Sequence, residues 1–380
     1  MKYLFIFFSI LFTCKTALNA QFNVRIVVTT IATKQEDDVY VAGNFNNWNP
    51  KDENYKLKPF AGGRKAIVLK DISAGTYVFK LTRGSWEKVE CTADGLDITD
   101  RKIEVIGDEV INCDVLGWKD NYPKKAKPYT ASPQVKIIDT AFGMPNLNRT
   151  RRIWVYLPKS YASSTKTYPV LYMHDGQNLF NEQTAPFGEW GVDECLDSLQ
   201  KISGKECIVV GIDHGADKRI SEYTPYDFTD KKNAKDGEGK LYLEFLTSHL
   251  KPFIDNKYRT KKDQPNTYIA GSSLGGLISF YAILKHSNTF GGAGIFSPSF
   301  WINPLTAKDA LNFSNPLPIK MFFYAGGKES NTMVSDMNKI ADIIEQKQNY
   351  KVLRVVNPIA EHNEKAWRKE FSNFYLWITK

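Results

Sequence analysis

The hydrophobic pattern of the chain changes character near residue 133. Between 22 and 116, runs of β-branched and aromatic residues at 24–30, 38–42, 65–69, 75–82 and 105–115 are separated by turn residues such as Gly62-Gly63 and Ala74-Gly75. Short strands with Gly and Asn turns and no helical period predict an all-β, immunoglobulin-like sandwich. Residues 117–133 are rich in Lys, Pro and Ser, lack an apolar period, and read as a semi-rigid linker. From 134 to 380 the apolar runs no longer alternate; they fall at 152–157, 169–173, 207–212, 267–270, 293–296, 320–324 and 351–356. Segments with helical spacing lie among them at 242–254, 274–286 and 333–346. Strands apolar on both faces, interleaved with helices, predict an α/β domain with a doubly wound, mostly parallel sheet.

The first twenty residues have a pattern of their own. One lysine precedes an apolar stretch at 3–12, and small and polar residues follow as far as Ala20. That stretch is short for a membrane span and reads as a secretory signal peptide cleaved near Ala20. The mature protein is then exported, to the periplasm, the outer surface or the medium, with no stable membrane span. Lipid attachment at Cys14 ranks second, because Thr13 before it is a poor small-residue match.

Composition narrows the partners. The formal charge of +8 falls to +6 once Lys2 and Lys15 leave with the signal, and acids and bases are interspersed, so nucleic acid is not implied. A content of 42% hydrophobic and 13% aromatic residues is enough for two packed cores. Four cysteines remain after residue 20. An exported chain permits disulfides, and proximity would pair Cys91 with Cys113 and Cys195 with Cys207; buried free thiols are the other reading.

The chemistry gathers around NTYIAGSSLGGL at 266–277. Gly271-Ser272-Ser273-Leu274-Gly275 is a G-x-S-x-G pentapeptide set between a short apolar run and a helical segment. Such a nucleophile elbow needs glycines where a Cβ would clash, and the helix after it offers unpaired N–H groups to an oxyanion. In parallel sheets chemistry collects at the carboxyl ends of strands. There the chain offers Ser273, then Glu329 behind a Gly-Gly, then His362, in the order nucleophile, acid, histidine. Of the five histidines, His249 and His286 fall within helical segments, and His174 and His214 precede the serine. His362 alone follows Glu329. Ser272 occupies the wrong position of the pentapeptide. No metal-ligand cluster or phosphate-binding glycine loop is evident, so no cofactor and no metal are expected.

Two resemblances follow from the residues. RTRRIWVYLPKSY, YPVLYMHDGQNLF, EWGVDECL, LKPFIDNKYRT, YIAGSSLGG, YAGGKES and EHNEKAWR together resemble the esterase family of α/β-hydrolases. That family includes feruloyl and acetyl-xylan esterases of carbohydrate esterase family 1, enterochelin esterases and mycolyltransferases. The resemblance implies Ser273 as nucleophile, Glu329 as acid and His362 as base, with an oxyanion hole from the N–H of Leu274 and that of Gly176 or Gln177. Many relatives read H-G-x-G-G at this turn, whereas here it is His174-Asp175-Gly176-Gln177. Loop aromatics Phe180, Phe187, Trp190, Tyr223, Tyr226, Phe300 and Trp301, with Arg219 and Glu222, are candidate cleft residues; Trp190, Arg219, Tyr223 and Trp301 lead as substrate contacts.

In the N-terminal region, VYVAGNFNNWNP at 39–50 and AGTYVFKLTRGSWEKVE at 74–90 resemble starch- and glycogen-binding modules. That likeness implies a sugar platform of Trp48 and Trp86 with Lys80 nearby, although both indoles could equally fill a core. An exported esterase with such a module points to an ester-decorated polysaccharide. A siderophore esterase of the enterochelin type and a binding protein with an inactive hydrolase domain are the alternatives.

Overall fold

In the computed structural model the described residues are 21–123, 126–230 and 233–380. The expected signal peptide and Cys14 lie outside them. The chain divides between Lys125 and Ala126 into two compact units.

Among the described residues the first unit holds nine strands: β1 (Gln21–Ile31), β2 (Tyr40–Gly43), β3 (Lys58–Phe60), β4 (Arg64–Ser73), β5 (Gly75–Thr82), β6 (Glu90–Cys91), β7 (Arg101–Val105), β8 (Glu109–Val115) and β9 (Gly117–Trp118). They form sheets β3-β4-β1-β8 and β2-β5-β7, with β6 paired to β9. Alternate residues of each sheet point into one shared core, with Val24, Ile26 and Val28 from β1 meeting Phe79 and Leu81 from β5 and Ile103 and Val105 from β7. The run at 105–115 is two strands rather than one, because the chain turns at Ile106–Asp108 and Asp108 Oδ1 accepts from the Asn23 amide.

The stretch expected as a linker at 117–133 is divided between the units. Trp118 is fully buried in the first unit's core and donates its indole N–H to Thr33 O, so a polar composition concealed one anchoring aromatic. At the other end, Thr130 Oγ1 donates to Glu189 and the Ser132 amide to Asp193 of the second unit. The expected disulfides are also absent, and all four described cysteines are free. Cys91 pairs with Gly117 on β9 while Cys113 pairs with Val28 on β1, so the two lie in different sheets. Burial pushes the Cys195 thiol up to about 11 and that of Cys207 to about 12, although Tyr375 hydrogen bonds to the latter.

The second unit is built on an eight-stranded sheet. Its members are β10 (Val135–Met144), β11 (Arg149–Tyr156), β12 (Val170–His174), β13 (Ile208–Ile212), β16 (Thr267–Ser272), β17 (Gly292–Phe296), β18 (Ile319–Gly326) and β19 (Tyr350–Asn357); a separate hairpin joins β14 (Phe228–Asp230) to β15 (Asn233–Lys235). The order is β10-β11-β13-β12-β16-β17-β18-β19, antiparallel at the β10 end and parallel from β13 to β19. The helices are α1 (Val192–Ser203), α2 (Arg219–Glu222), α3 (Gly239–Phe245), α4 (Lys251–Lys257), α5 (Leu274–His286), α6 (Leu305–Asn312), α7 (Met333–Glu345) and α8 (Glu364–Ile378). Both faces of the sheet are covered: Val170 and Tyr172 of β12 enter the core with α3, α5 and α7, and Leu171 and Met173 enter the core with α1 and α8. This is why the strands read as unbroken apolar runs. The helix expected at 242–254 is α3 and α4 joined through a π turn at Leu246–Leu250. Pro252 has no N–H to return to the preceding turn, which is where α-helical bonding is interrupted.

Parallel register brings the strand ends level. His174 sits beside Ile212, Ser272 beside Phe296, and Gly326 beside Asn357. The loops that follow these positions therefore open on one edge of the sheet.

Candidate active site

Ser273 joins β16 to α5 with φ 59° and ψ −121°, a conformation that L-residues seldom adopt. The strain falls on the serine, while the flanking glycines provide clearance. A Cβ on Gly271 would lie 2.9 Å from the Gly275 carbonyl, and one on Gly275 would lie 3.3 Å from the Cβ of His174. The turn is fixed by three backbone bonds: the Ser273 amide donates to Phe296 O, and the Ser273 carbonyl accepts from Leu277 and Ser299. Ser273 Oγ lies 3.3 Å from Ser299 Oγ.

Glu329 and His362 meet in the loops after β18 and β19. His362 Nδ1 is 2.7 Å from Glu329 Oε2, and the carboxylate is almost wholly buried while the imidazole is partly open. Glu329 Oε1 accepts from Ser297 Oγ at 2.6 Å and from the Gly326 amide at 2.5 Å. Ser273 and His362 both line a cavity of about 450 Å³, together with Ser272, Asp175, Asn178, His214, Arg219, Glu364 and Trp367. Such a set supplies a hydroxyl, an imidazole with a buried carboxylate behind it, and donors nearby.

The turn after β12 begins at Asp175, whose φ of 57° is also left-handed, and continues through a 3₁₀ turn at Gly176–Asn178. A Cβ on Gly176 would meet the Gly211 carbonyl carbon at 2.8 Å, so this close approach to β13 requires glycine. Gly176 and Gln177 are buried between Asp175 and Asn178, which line the cavity. The amides of Leu274, Gly176 and Gln177 have no hydrogen-bond acceptor among the described residues. The Asp175 amide is already engaged by Tyr223 Oη at 3.3 Å.

Among the expected substrate contacts, Arg219 alone lines the cavity. Its guanidinium grips Asp175 through two bonds of 2.8 Å. Burial pushes the Asp175 carboxyl up, but Arg219 outweighs it and the net shift is downward. Tyr223 is fully buried behind this pair rather than in the cleft. Trp190 is a core residue, stacked on Trp367 and edge-on to Phe296 and Phe371. Trp301 is 64% exposed in the 3₁₀ turn at Phe300–Ile302 and does not line the cavity. Phe180, Tyr226 and Phe300 are likewise buried, and Glu222 is buried against Arg149 and Arg151. Phe187 does stand on the rim, 81% exposed.

Sequence reading missed Asp175 as a buried ion-pair partner, Asn178 and Glu364. Glu364 accepts from Asn178 Nδ2 at 3.3 Å, and burial holds its carboxyl above the usual range. The position of Asp175 directly after a strand was the available signal; nothing local marked Glu364. His174, by contrast, is a core residue: it packs against Tyr223 and Tyr242, and burial lowers its pKa to about 3.

In the N-terminal unit, Trp48 and Trp86 lie with ring centroids 6.2 Å apart and planes inclined at 43°, and Trp86 is 41% exposed. Lys80 is half-buried and committed to Asp100 and the Ile98 carbonyl.

Comparison with known proteins places the second unit. Uncharacterized protein YbbA of Bacillus subtilis is 28% identical over 241 residues, covering 60% of this chain and 92% of that protein. The endo-1,4-beta-xylanase/feruloyl esterase of Xylanibacter ruminicola is 27% identical over 224 residues, which are 57% of this chain but 27% of the relative. Among solved structures, the enterobactin esterase FES from Shigella flexneri aligns with a TM-score of 0.55 and 15% identity, over 90% of this chain and 87% of that one. The BES protein from Bacillus cereus aligns at 0.53 and 20% identity, over 68% of this chain and all of the other. At these identities the two structures speak for the fold. The family described as "Putative esterase" matches residues 145–378, from the turn before β11 to the end of α8, and the chain therefore belongs to that family and is a carboxylic ester hydrolase.

Proposed function

We propose that the protein is an exported serine esterase that removes acyl or feruloyl groups from polysaccharide through Ser273, His362 and Glu329. Ser273 Oγ attacks the ester carbonyl while His362 Nε2 takes its proton, and the oxyanion is met by the Leu274 amide and that of Gly176 or Gln177. His362 then passes the proton to the departing alcohol. Water, deprotonated by the same imidazole, releases the acid from the acyl-enzyme. The observation that carries this reading is the 2.7 Å contact between His362 Nδ1 and the buried Glu329 carboxylate, on the cavity that Ser273 also lines.

The substrate class is supported by the charge of that cavity. Arg219 is the one cation fixed among its described lining residues, and it is committed to Asp175, with Glu364 adding a further carboxyl. A neutral acyl sugar suits these groups, whereas an anionic ferric catecholate trilactone would meet no free cation. The feruloyl esterase relative and the exposed Trp86 beside Trp48 favour polysaccharide.

The test is a panel of acetyl, feruloyl and trilactone esters assayed with the wild type and Ser273→Ala. The reading requires hydrolysis of acetyl or feruloyl sugar esters and its abolition in the variant. Unchanged rates in Ser273→Ala would sink the serine mechanism, and turnover of the trilactone alone would select the siderophore reading. Retention of the full chain on starch or xylan, lost in Trp86→Ala, is expected of the sugar platform.

A further inference from the structure

Glu329 has two carboxylate oxygens, and they are used differently. Oε1 accepts from Ser297 Oγ and the Gly326 amide, while Oε2 faces His362 Nδ1. Ser297 follows β17, is fully buried, and has φ 44°, in the left-handed region that glycine occupies readily and serine does not. Its amide donates to Tyr324 O at 2.7 Å. Nothing in this backbone asks for a serine, so the hydroxyl is the group that matters.

That hydroxyl has its proton assigned. Trp367 Nε1 lies 2.8 Å from Ser297 Oγ, and an indole N–H can only donate. Ser297 therefore accepts from Trp367, and its single proton goes to Glu329 Oε1. Trp367 stands on α8, the helix that follows His362, and its ring meets the imidazole edge-on with centroids 5.0 Å apart and planes at 87°. Indole, hydroxyl, carboxylate and imidazole close a circuit.

We infer that Ser297, oriented by Trp367, is a positioning residue for ester hydrolysis. By occupying Oε1 it leaves Oε2 to receive His362 Nδ1–H, which keeps Nε2 unprotonated and free to act as the base. The inference rests on the proposed roles of Ser273, His362 and Glu329. An imidazole held in the wrong tautomer or tilted away cannot take the serine proton, so the effect falls on the chemical step rather than on substrate binding.

Two variants of the full chain test this. Ser297→Gly suits the observed φ but removes the hydroxyl; Ser297→Gly/Trp367→Phe also removes the indole N–H that would otherwise be left buried and unpaired. Each is measured for kcat and KM on an aryl ester, for thermal melting, and for the downfield proton resonance of the imidazole Nδ1–H. In both variants kcat should fall roughly 10- to 100-fold with KM within about twofold of wild type, and the resonance should move or broaden. In the double variant kcat should stay low whatever its melting temperature, which also reflects the core volume lost beside Trp190. The role is overturned by a wild-type kcat with an unmoved resonance, or by a double variant in which kcat returns. Ser273→Ala assayed alongside separates the two levels: full activity there refutes the nucleophile itself, whereas an inactive Ser273→Ala with a fully active Ser297→Gly refutes only the positioning.

Discussion

Arg219→Met tests how firmly the turn after β12 is held. The side chain of Asp175 is 9% exposed and that of Arg219 25%, and they share two hydrogen bonds of 2.8 Å. Opposite charges about 4 Å apart attract by about 4 kcal/mol at an effective dielectric constant of about 20. Desolvation of both ions offsets part of that, but removing one partner leaves the other buried and unpaired, at a cost of about 3–5 kcal/mol. Water reaching the partly open Arg219 position reduces the expected loss to about 2–3 kcal/mol, or about 4–12 °C in melting temperature. The sign with pH follows from the lowered carboxyl of Asp175. Its contribution is complete above the unfolded carboxylate pKa of about 4 and is lost as pH falls through the lower folded value. In the variant, burial without a partner raises that pKa, so the wild type should exceed the variant by more at neutral pH than in acid. Thermal melts from about pH 4 to about pH 8 measure this, with Arg219→Met/Asp175→Asn expected to recover most of the loss. A melting temperature within about 1 °C of wild type at neutral pH, with no pH-dependent gap, would refute the reasoning.

Phe187→Ala should leave stability unchanged, since the ring is exposed, but raise KM for feruloyl esters about 2- to 12-fold, the worth of one aromatic contact, with acetyl esters unaffected. A fragment beginning at residue 134 should unfold at lower urea than one beginning at 126. It loses Thr130 and Ser132, whose bonds to Glu189 and the buried Asp193 are worth about 2 kcal/mol or more together. Thiol titration of unreduced, denatured residues 21–380 should count all four of Cys91, Cys113, Cys195 and Cys207, while the folded protein reacts slowly. A lower count would mean a disulfide.

The parts of the site that were legible are those written into a few neighbouring residues. Gly271 and Gly275 announce a turn too tight for a Cβ, and α5 begins where the apolar spacing changes from strand to helix. The aromatics were not legible in the same way. Trp190, Tyr223 and Trp301 all follow strands, yet one is core, one braces Asp175, and one faces solvent. A loop aromatic beside a cleft and one beneath it have the same local sequence; what differs is the neighbour across the sheet.

By itself, then, the sequence determined the parallel strands β12, β13 and β16 to β19 with α5 and α7 between them, the elbow at Ser273, and the order in which Glu329 and His362 follow it, because periodicity and turn chemistry act over a few residues. Tertiary structure alone decided that Asp175 meets Arg219, that Trp118 belongs to a core, and that Ser297 stands between Trp367 and Glu329. These contacts join residues up to 85 positions apart, as in Trp118 with Thr33, and they exist only once strand register has brought distant chain ends level.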